Sequence, residues 1–396
     1  MRTPTQQPSN GSNPSDWHGR FPQNDIISLL QVNRSFNLAE STSQDLYFGE
    51  LVDLIGLDAV RNIRLGYGND QGLPLLRDAI GKMVHIAPEK IITTTGAALA
   101  IYLLAIELCR PKDEVVLFTP CFATSKDAFI GADVTLRSIN LKFEDNYRVD
   151  LNAFEATLTQ ETKLVCLATP QNPSGVTTSF ETVDAMLKIM ERCAPNAYLF
   201  IDEVYLYASY GEAVAPKSLA ALSEKIISCG SVSKSFGAPG LRVGWMNVHD
   251  EDLRARLITA KMNIVISGSP LNETLAAHLL MQRGAILSPR KALLKSGLER
   301  VRQWQNQEAD RIAWVKPDAG ALCCIRLKES AFDDGAIQRF WAAHAEHKLQ
   351  LGNGEWFGES RRICRLGFGY LPLSKLPKAL RAVSDVLDFV QRSSPA

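Results

Sequence analysis

The sequence has no excess charge of either sign, no apolar run long enough to cross a bilayer, and no cysteine spacing typical of a metal site. Its 43 basic residues balance its 43 acidic residues, so no net field would attract nucleic acid or an anionic membrane. None of the eight cysteines forms a CxxC pair, which favours free thiols in a reducing compartment. We therefore predict a globular protein of the cytoplasm without a metal site and without a nucleic-acid or membrane partner.

The sequence also lacks a dinucleotide fingerprint and a secretory signal. GYGNDQG has glycines at 66, 68 and 72, which breaks the GxGxxG spacing of dinucleotide-binding turns. The first 25 residues are rich in Pro, Ser, Asn and Gln and contain no apolar core, so they do not resemble a secretory signal. We expect residues 1–25 to form a flexible arm.

Beyond the arm, short apolar runs alternate with helical patterns. Runs rich in Val, Ile and Leu between Gly and Pro are typical of buried parallel strands, and helices between them imply βαβ crossovers. Helical patterns cover residues 97–108 and 124–132, and a long one covers about 270–308 with an interruption near Ser288-Pro289. The strand-like runs are KIITTT (90–95), EVVLFTP (114–120), KLVCLATP (163–170), AYLFIDEVY (197–205) and KIISCGSVS (225–233).

The pattern changes in the last quarter of the chain. AGALCCIRL and RRICRLGFG are more amphipathic strand patterns, and LSKLPKALRAVSDVLDFVQR is a closing helix. The predicted fold class is therefore α/β, with a mostly parallel sheet flanked by helices in a large domain and a small α+β domain. We place the large domain at residues 49–285 and build the small one from residues 26–48 and 286–396.

The first candidate for chemistry is Lys234, in SVSKSFGAPGLRVGW (231–245). A lysine attacks a carbonyl only when it is deprotonated, and a nearby cation and partial desolvation favour that form. Arg242 follows after a Gly-Ala-Pro-Gly turn, and its planar guanidinium suits a phosphate. On this loop alone, a surface lysine is the simpler interpretation.

Three other segments add groups that one ligand could use. In TTTGAALAIYL (93–103), a strand runs into Gly96 and a helix begins at once, which favours phosphate binding. Asp202 ends the apolar strand of FIDEVYLYASY, where a buried carboxylate needs a cation; a helix-capping aspartate is the alternative. Asn172, in ATPQNPSGV, is an amide donor in a turn.

Taken in order, these segments resemble the class I/II aminotransferases, the pyridoxal 5′-phosphate (PLP) enzymes of fold type I, with the aspartate aminotransferase fold. The resemblance extends from about residue 60 to about residue 370. It rests on YGNDQGLPLLR, TTGAALA, NPSG, DEVY, SxSK, RVGW and RLGFG, which occur in the order and approximate spacing of that family.

The resemblance implies a role for each motif residue. Lys234 would hold PLP as a Schiff base and move the α-proton of the substrate, and Asp202 would pair with the pyridinium nitrogen. Asn172 and Tyr205 would bind the phenolate oxygen of the ring, and Phe122 would stack on its face. Residues expected at the phosphate and along the cofactor are Gly96, Ala97, Ala98, Ser231, Ser233 and Arg242.

The resemblance implies roles for two further residues, one in substrate binding and one between subunits. Arg365 would clamp the α-carboxylate of an amino acid, with Asn172 beside it. Tyr67 would reach the phosphate of a neighbouring subunit, which implies a homodimer with shared active sites. The implied reaction is the transfer of an amino group between an amino acid and a 2-keto acid.

The stretch RSFNLAESTSQDL (34–46) departs from this pattern because it lacks the Gly-x-Pro turn of many family members. It is more similar to the corresponding stretch of aminocyclopropane-carboxylate synthases and of capreomycidine-synthase-like cyclases. Glu40 is then a candidate substrate-side acid or base, while a helix-capping or surface glutamate is the alternative. This stretch keeps open a second function, a PLP-dependent lyase or cyclase acting by β- or γ-elimination on a substituted amino acid.

Overall fold

A computed structural model describes residues 34–210 and 217–392, together with residues 19–22 and the single positions 26, 29 and 32. Of the arm predicted over residues 1–25, most positions lie outside the described residues. None of the helices in the described part of the chain is long and apolar enough to cross a membrane.

Short apolar runs form the strands of three sheets. The strands are β1 (Phe36–Asn37), β2 (Ile91–Thr94), β3 (Glu114–Thr119), β4 (Thr135–Asn140), β5 (Thr162–Ala168), β6 (Tyr198–Asp202), β7 (Ile226–Ser231), β8 (Gly244–Asn247), β9 (Ile312–Val315), β10 (Leu322–Leu327), β11 (Leu349–Gln350), β12 (Gly352–Asn353) and β13 (Ile363–Gly367).

The helices lie between these strands and after them. They are α1 (Phe48–Ile55), α2 (Asp58–Arg61), α3 (Pro74–Val84), α4 (Ala97–Glu107), α5 (Ala123–Gly131), α6 (Leu151–Thr157), α7 (Phe180–Cys193), α8 (Glu251–Val265), α9 (Pro270–Met281), α10 (Arg283–Gln307), α11 (Asp334–Ala343) and α12 (Leu376–Arg392).

The largest sheet has seven strands in the order β2-β8-β7-β6-β5-β3-β4. All pairs from β7 to β4 are parallel, and β8 alone runs antiparallel, between β2 and β7. Strands β5 to β7 are almost entirely buried, because helices cover both faces of the sheet. The predicted α/β architecture is confirmed, although the four-residue β8 within the RVGW motif region was not foreseen as a strand.

The predicted helical stretch over residues 270–308 divides at Gln282, where α9 ends and α10 begins. The predicted interruption near Ser288-Pro289 was wrong, because Pro289 lies inside α10. A proline there removes one backbone hydrogen bond. Buried Ile286 and Leu294 pack on either side of it, and this packing outweighs the helix-breaking tendency of a single proline.

The smaller unit contains a four-stranded antiparallel sheet, β12-β13-β10-β9, and the parallel pair β1-β11. Helices α10, α11 and α12 share a core with these strands, which includes Val301, Phe340 and Val383. Strand β1 brings the N-terminal segment beside β11 in this unit. The exact boundaries proposed for the two domains remain a prediction.

Residues 38–46, here called the bridging segment, run between the small sheets and the loop that carries Lys234. At one end, the amide of Leu38 donates to the carbonyl of Gln350 at 2.8 Å. At the other, the amide of Leu46 donates to the carbonyl of Gly237 at 2.7 Å. The bridging segment begins with Leu38-Ala39-Glu40-Ser41, here called the LAES motif. The fold therefore places that motif close to Lys234.

Candidate active site

A cavity of about 310 Å³ opens at the carboxyl ends of β5, β6 and β7, where open α/β sheets bind their ligands. It brings together side chains that are far apart in the sequence, because each follows a different strand. Of the predicted site residues, those that line it are Gly96, Ala97, Ala98, Phe122, Asn172, Asp202, Tyr205, Ser231, Ser233, Lys234 and Arg242.

One end of the cavity is a cradle for an anion. Gly96 has a φ of 76°, and α4 begins at the next residue, so the unpaired amides of its first turn face the cavity end. A Cβ atom at Gly96 would lie 2.5 Å from Nη2 of Arg242, so only glycine lets the guanidinium approach the backbone this closely. Arg242 is itself held by a 3.1 Å hydrogen bond from Nη1 to the carbonyl of Pro239.

Asp202, at the end of β6, occupies the floor of the cavity. Its Oδ1 accepts hydrogen bonds from the amide of Val204 at 3.1 Å and from the thiol of Cys229 at 3.6 Å. Its Oδ2 accepts none from the part of the chain that the structure describes. Burial raises the pKa of Asp202, against the effects of the Val204 amide, the Cys229 thiol and the charge of Lys234. This carboxylate therefore suits a ligand that carries its own cation.

Lys234 points its amine towards the bridging segment. Its Nζ donates to Oγ of Ser41 at 3.1 Å and lies 3.7 Å from a carboxylate oxygen of Glu40. The hydroxyl of Tyr205 donates to the same Ser41 oxygen at 2.9 Å. The amine is thus next to one hydroxyl group and one carboxylate, and the hydroxyl of Ser41 links it to that of Tyr205.

Glu40 is mostly buried beside this amine, and its backbone follows directly on Ala39. Burial pushes the pKa of Glu40 upwards, but the charges of Lys234 and Arg365 and the amides of Ser41 and Thr42 outweigh it and lower the pKa. Its oxygen accepts the Ser41 amide at 2.8 Å. Glu40 is therefore an ionised, mostly buried carboxylate beside the amine of Lys234, although its side chain is not part of the cavity lining.

Arg365, on β13, is 2% exposed; it does not line the cavity itself but contacts Asn172, which does. It donates from Nη1 to Oδ1 of Asn172 at 3.0 Å and from Nη2 to the carbonyl of Ala39 at 2.5 Å. The guanidinium lies over the ring of Phe357, 4.7 Å from its centroid, and its Nε has no hydrogen-bond partner among the described residues. A buried guanidinium with unused hydrogen-bonding capacity suits a carboxylate ligand.

Tyr67 does not reach this cavity within its own chain. Its side chain is 86% exposed, at the end of a loop that is fixed where the amide of Gly68 donates to Oγ of Ser267 at 3.1 Å. The predicted role of Tyr67 therefore needs a second subunit. Within the described residues, no group of three or more His, Cys, Asp or Glu side chains is arranged to hold a metal ion.

Sequence reasoning missed two residues of the site, Ser41 and Cys229. Ser41 stands next to Glu40 in the LAES motif, but its contact with Lys234 spans 193 positions and gives no local signal. Cys229 stands in the strand-like run KIISCGSVS, where nothing in the local sequence distinguishes it from the other free thiols. The register of β6 and β7 places it beside Asp202, and that pairing could have been deduced from the parallel sheet.

The model of the aminotransferase class I and II family matches residues 58–383. This chain belongs to that family. Capreomycidine synthase of Streptomyces vinaceus is 28% identical over 371 residues, 92% of this chain and 93% of that protein. The arginine–pyruvate transaminase AruH of Pseudomonas aeruginosa is 30% identical over 40% of each chain.

Solved structures of the family share the fold at low sequence identity. A PLP-dependent aminotransferase from Streptococcus suis superposes with a TM-score of 0.85 at 22% identity, over 95% of this chain and 99% of that one. The PLP-dependent cyclase OrfR superposes with a TM-score of 0.80 at 22% identity, over 89% and 93% of the two chains. The chain is accordingly a PLP-dependent enzyme with the aspartate aminotransferase-like fold.

The cavity fits PLP at three places. The cradle of Gly96 and Arg242 matches the phosphate, the free oxygen of Asp202 matches a protonated ring nitrogen, and the amine of Lys234 matches the aldehyde. Asn172 and Tyr205 border the same cavity; the hydroxyl of Tyr205 already donates to Ser41, so the amide nitrogen of Asn172 is the donor left for the phenolate oxygen. Phe122 forms part of the wall on which a ring would stack.

Proposed function

We propose that this PLP enzyme acts on a β- or γ-substituted amino acid and catalyses elimination followed by ring closure, as a lyase or cyclase. The observation that carries the proposal is the pairing of Glu40 with Lys234, whose oxygen and nitrogen are 3.7 Å apart. When bound, the cofactor supplies an electron sink for the charge left on the α-carbon. The side chains of the protein must then remove the protons and return them.

Lys234 is the base for the first proton. Its amine is at the cavity wall, where it would remove the α-proton and then give it to the departing group on the β- or γ-carbon. Arg365 and Asn172 would hold the α-carboxylate and so fix the direction of the α-hydrogen.

Glu40 is the base for the second proton. Ring closure requires a nucleophile of the substrate to lose a proton, and the ionised carboxylate of Glu40, beside Lys234, can accept it. Because Glu40 adjoins Lys234, that proton can return to the α-carbon through the lysine, and no second substrate is consumed. With a γ-substituent, the lysine would also have to move a proton of the β-carbon before the group departs. The similarity to capreomycidine synthase along almost the whole of both chains supports this assignment.

Transamination is the second candidate, and the observation favouring it is the family itself. Lys234 alone would serve that reaction, because the proton leaves the α-carbon and returns to the cofactor from the same face. AruH and tyrosine aminotransferases are among the relatives, although AruH covers less than half of this chain. The two reactions differ in whether a 2-keto acid is needed.

The test is turnover without a keto acid. Purified holoenzyme should convert a β- or γ-substituted amino acid from a wide panel in the absence of any 2-keto acid, as followed by mass spectrometry. Glu40→Gln should reduce this turnover about 100-fold, yet exchange the substrate α-hydrogen with deuterium oxide at close to the native rate. The exchange reports Lys234 alone and so separates the two bases.

Three results would contradict the assignment. Turnover that starts only when a keto acid is added would establish transamination instead. A Glu40→Gln enzyme as active as the native one would remove Glu40 from the reaction. Failure of borohydride to fix the cofactor on the peptide that contains Lys234 would remove the lysine.

We also propose that the enzyme is a homodimer whose active sites are shared. Tyr67, Leu65, Tyr47 and Phe48 are 86%, 81%, 74% and 62% exposed, which is unusual for large apolar side chains of a monomer. Burial of these side chains against a second copy would allow Tyr67 to reach the phosphate of the partner subunit. Sedimentation of the holoenzyme at the mass of two chains is the expected result, and a monomer at micromolar concentration would contradict it.

A further inference from the structure

Ser41 occupies a position in the site that no feature of its local sequence requires. Its Oγ accepts hydrogen bonds from the hydroxyl of Tyr205 at 2.9 Å and from Nζ of Lys234 at 3.1 Å. A serine oxygen accepts two hydrogen bonds at most, so both lone pairs of this hydroxyl are used. The Ser41 oxygen therefore connects the phenol of Tyr205 to the amine of Lys234 through two hydrogen bonds.

The surroundings of Ser41 hold this point fixed. Its side chain is 2% exposed, and its amide donates to the Glu40 carboxylate at 2.8 Å. Two residues later, the amide of Ser43 donates to the carbonyl of Lys234 at 3.3 Å. The backbone on both sides of Ser41 is thus tied to the lysine region, which limits the movement of its hydroxyl relative to the amine.

Ser43 offers a natural comparison on the same segment. Its side chain is 3% exposed, and its Oγ has no hydrogen-bond partner among the described residues. The bridging segment therefore holds two buried serines of equal size, of which only one contacts the amine and the phenol. Because Ser43 is equally buried and yet has no such contact, burial of a serine in this segment does not by itself explain the contacts of Ser41.

We propose that Ser41 is a positioning residue for Lys234, whose hydroxyl aims the amine at the cofactor aldehyde and couples it to Tyr205. The proposal concerns the site of the proposed function and assumes that Lys234 is the lysine that holds the cofactor. Without the Ser41 oxygen, Nζ loses its hydrogen bond and keeps, among the described residues, the Glu40 carboxylate at 3.7 Å as its neighbouring acceptor, so the amine is no longer held in one direction. The consequence is slower capture of the cofactor.

The experiment reconstitutes apo-protein with PLP and needs no substrate. The rate of cofactor capture is read from the near-visible absorbance, and the pH midpoint of that absorbance is then measured in the holoenzyme. We expect Ser41→Ala to slow capture about tenfold and to move the midpoint by about one pH unit. Ser41→Thr keeps the hydroxyl and should restore capture to within about threefold of native. Ser43→Ala should match the native protein in both measurements.

Two additions keep the result decisive. If Ser41→Ala does not fold, Ser41→Cys retains the side-chain volume with a weak acceptor, and it should still slow capture. In a Tyr205→Phe background, the effect of Ser41→Ala should shrink, because the coupling partner is already lost. A Ser41→Ala or Ser41→Cys protein with native capture rate and native pH midpoint would overturn the proposal. A requirement for a keto acid in turnover would contradict the proposed reaction and leave these measurements unaffected.

Discussion

At the scale of single residues, the Asp202 carboxylate accepts hydrogen bonds from the described residues at only one of its two oxygens. Both protein donors to Asp202, the Val204 amide and the Cys229 thiol, reach the same oxygen, Oδ1. In the role predicted for Asp202, Oδ2 would accept the protonated ring nitrogen of the cofactor. Because burial raises the pKa of Asp202, each donor that stabilises the ionised form helps the carboxylate to pair with that nitrogen.

Cys229→Ala should therefore weaken cofactor binding. Loss of one hydrogen bond to a carboxylate corresponds to about fivefold in the dissociation constant for PLP, measured by titrating apo-protein. Cys229→Ser keeps a donor and should stay within about twofold of native. Cys109→Ala removes a buried thiol from the same hydrophobic core without touching Asp202, and it is the matched control. Equal affinities for Cys229→Ala and Cys109→Ala would show that the thiol does not act on Asp202.

At the scale of elements, the bridging segment is positioned by glycines of its neighbours. A Cβ atom at Gly367, in β13, would overlap the carbonyl oxygen of Glu40. The amide of Gly367 donates to the carbonyl of Leu38 at 2.7 Å, so the strand and the segment lie in direct backbone contact. The positions of Glu40 and Ser41 therefore depend on Gly367 of β13 having no side chain.

Gly367→Ala should displace the bridging segment and lower both stability and activity. We expect a loss of about 2 kcal/mol in the free energy of unfolding, as for overpacking in a core, and slower cofactor capture like that of Ser41→Ala. Gly240→Ala is the control, since a Cβ atom there has no neighbour within 4 Å. Urea unfolding and the absorbance assay measure the two effects. A stable Gly367→Ala protein with native capture would mean that the segment does not need this close contact.

These elements also show where prediction from sequence ended. Lys234, Asp202 and Gly96 were predicted because their motifs occur in the order of one family; each also follows an apolar run, and parallel strands gather such positions at one edge. The contact of Ser41 with Lys234 was not, because it depends on how the N-terminal segment returns across the fold. The short strand β8 and the continuity of α10 through Pro289 were missed for a related reason, since tertiary packing decides both.

At the scale of the whole molecule, buried titratable groups make stability depend on pH in opposite directions. Burial raises the pKa of Glu203 to about 7 from its ordinary 4.5, so the stability it contributes is complete below pH 4.5 and is lost as pH rises through 7. Burial lowers the pKa of His344 to about 3 from 6.5, so its contribution is present above pH 6.5 and is lost as pH falls. Glu203 lies in the large unit and His344 in the small one.

The small unit should therefore lose stability in mild acid through His344. Its side chain is 4% exposed, its Nε2 has no hydrogen-bond partner among the described residues, and the rings of Phe340 and Trp341 pack at 4.9 and 4.8 Å. The folded protein keeps this imidazole neutral while the unfolded chain protonates it below pH 6.5. Between pH 7 and pH 5 this costs about 2 kcal/mol of unfolding free energy.

His344→Phe and His344→Gln cannot titrate, so both should lose that part of the pH dependence, whatever their absolute stability. Urea unfolding of each protein at pH 5 and pH 7 gives the required difference. If both variants retain the native difference between the two pH values, the imidazole does not remain neutral in the folded protein. If only His344→Phe loses the difference in unfolding free energy between pH 5 and pH 7, the pH dependence comes from packing against Phe340 and Trp341 and not from protonation of His344.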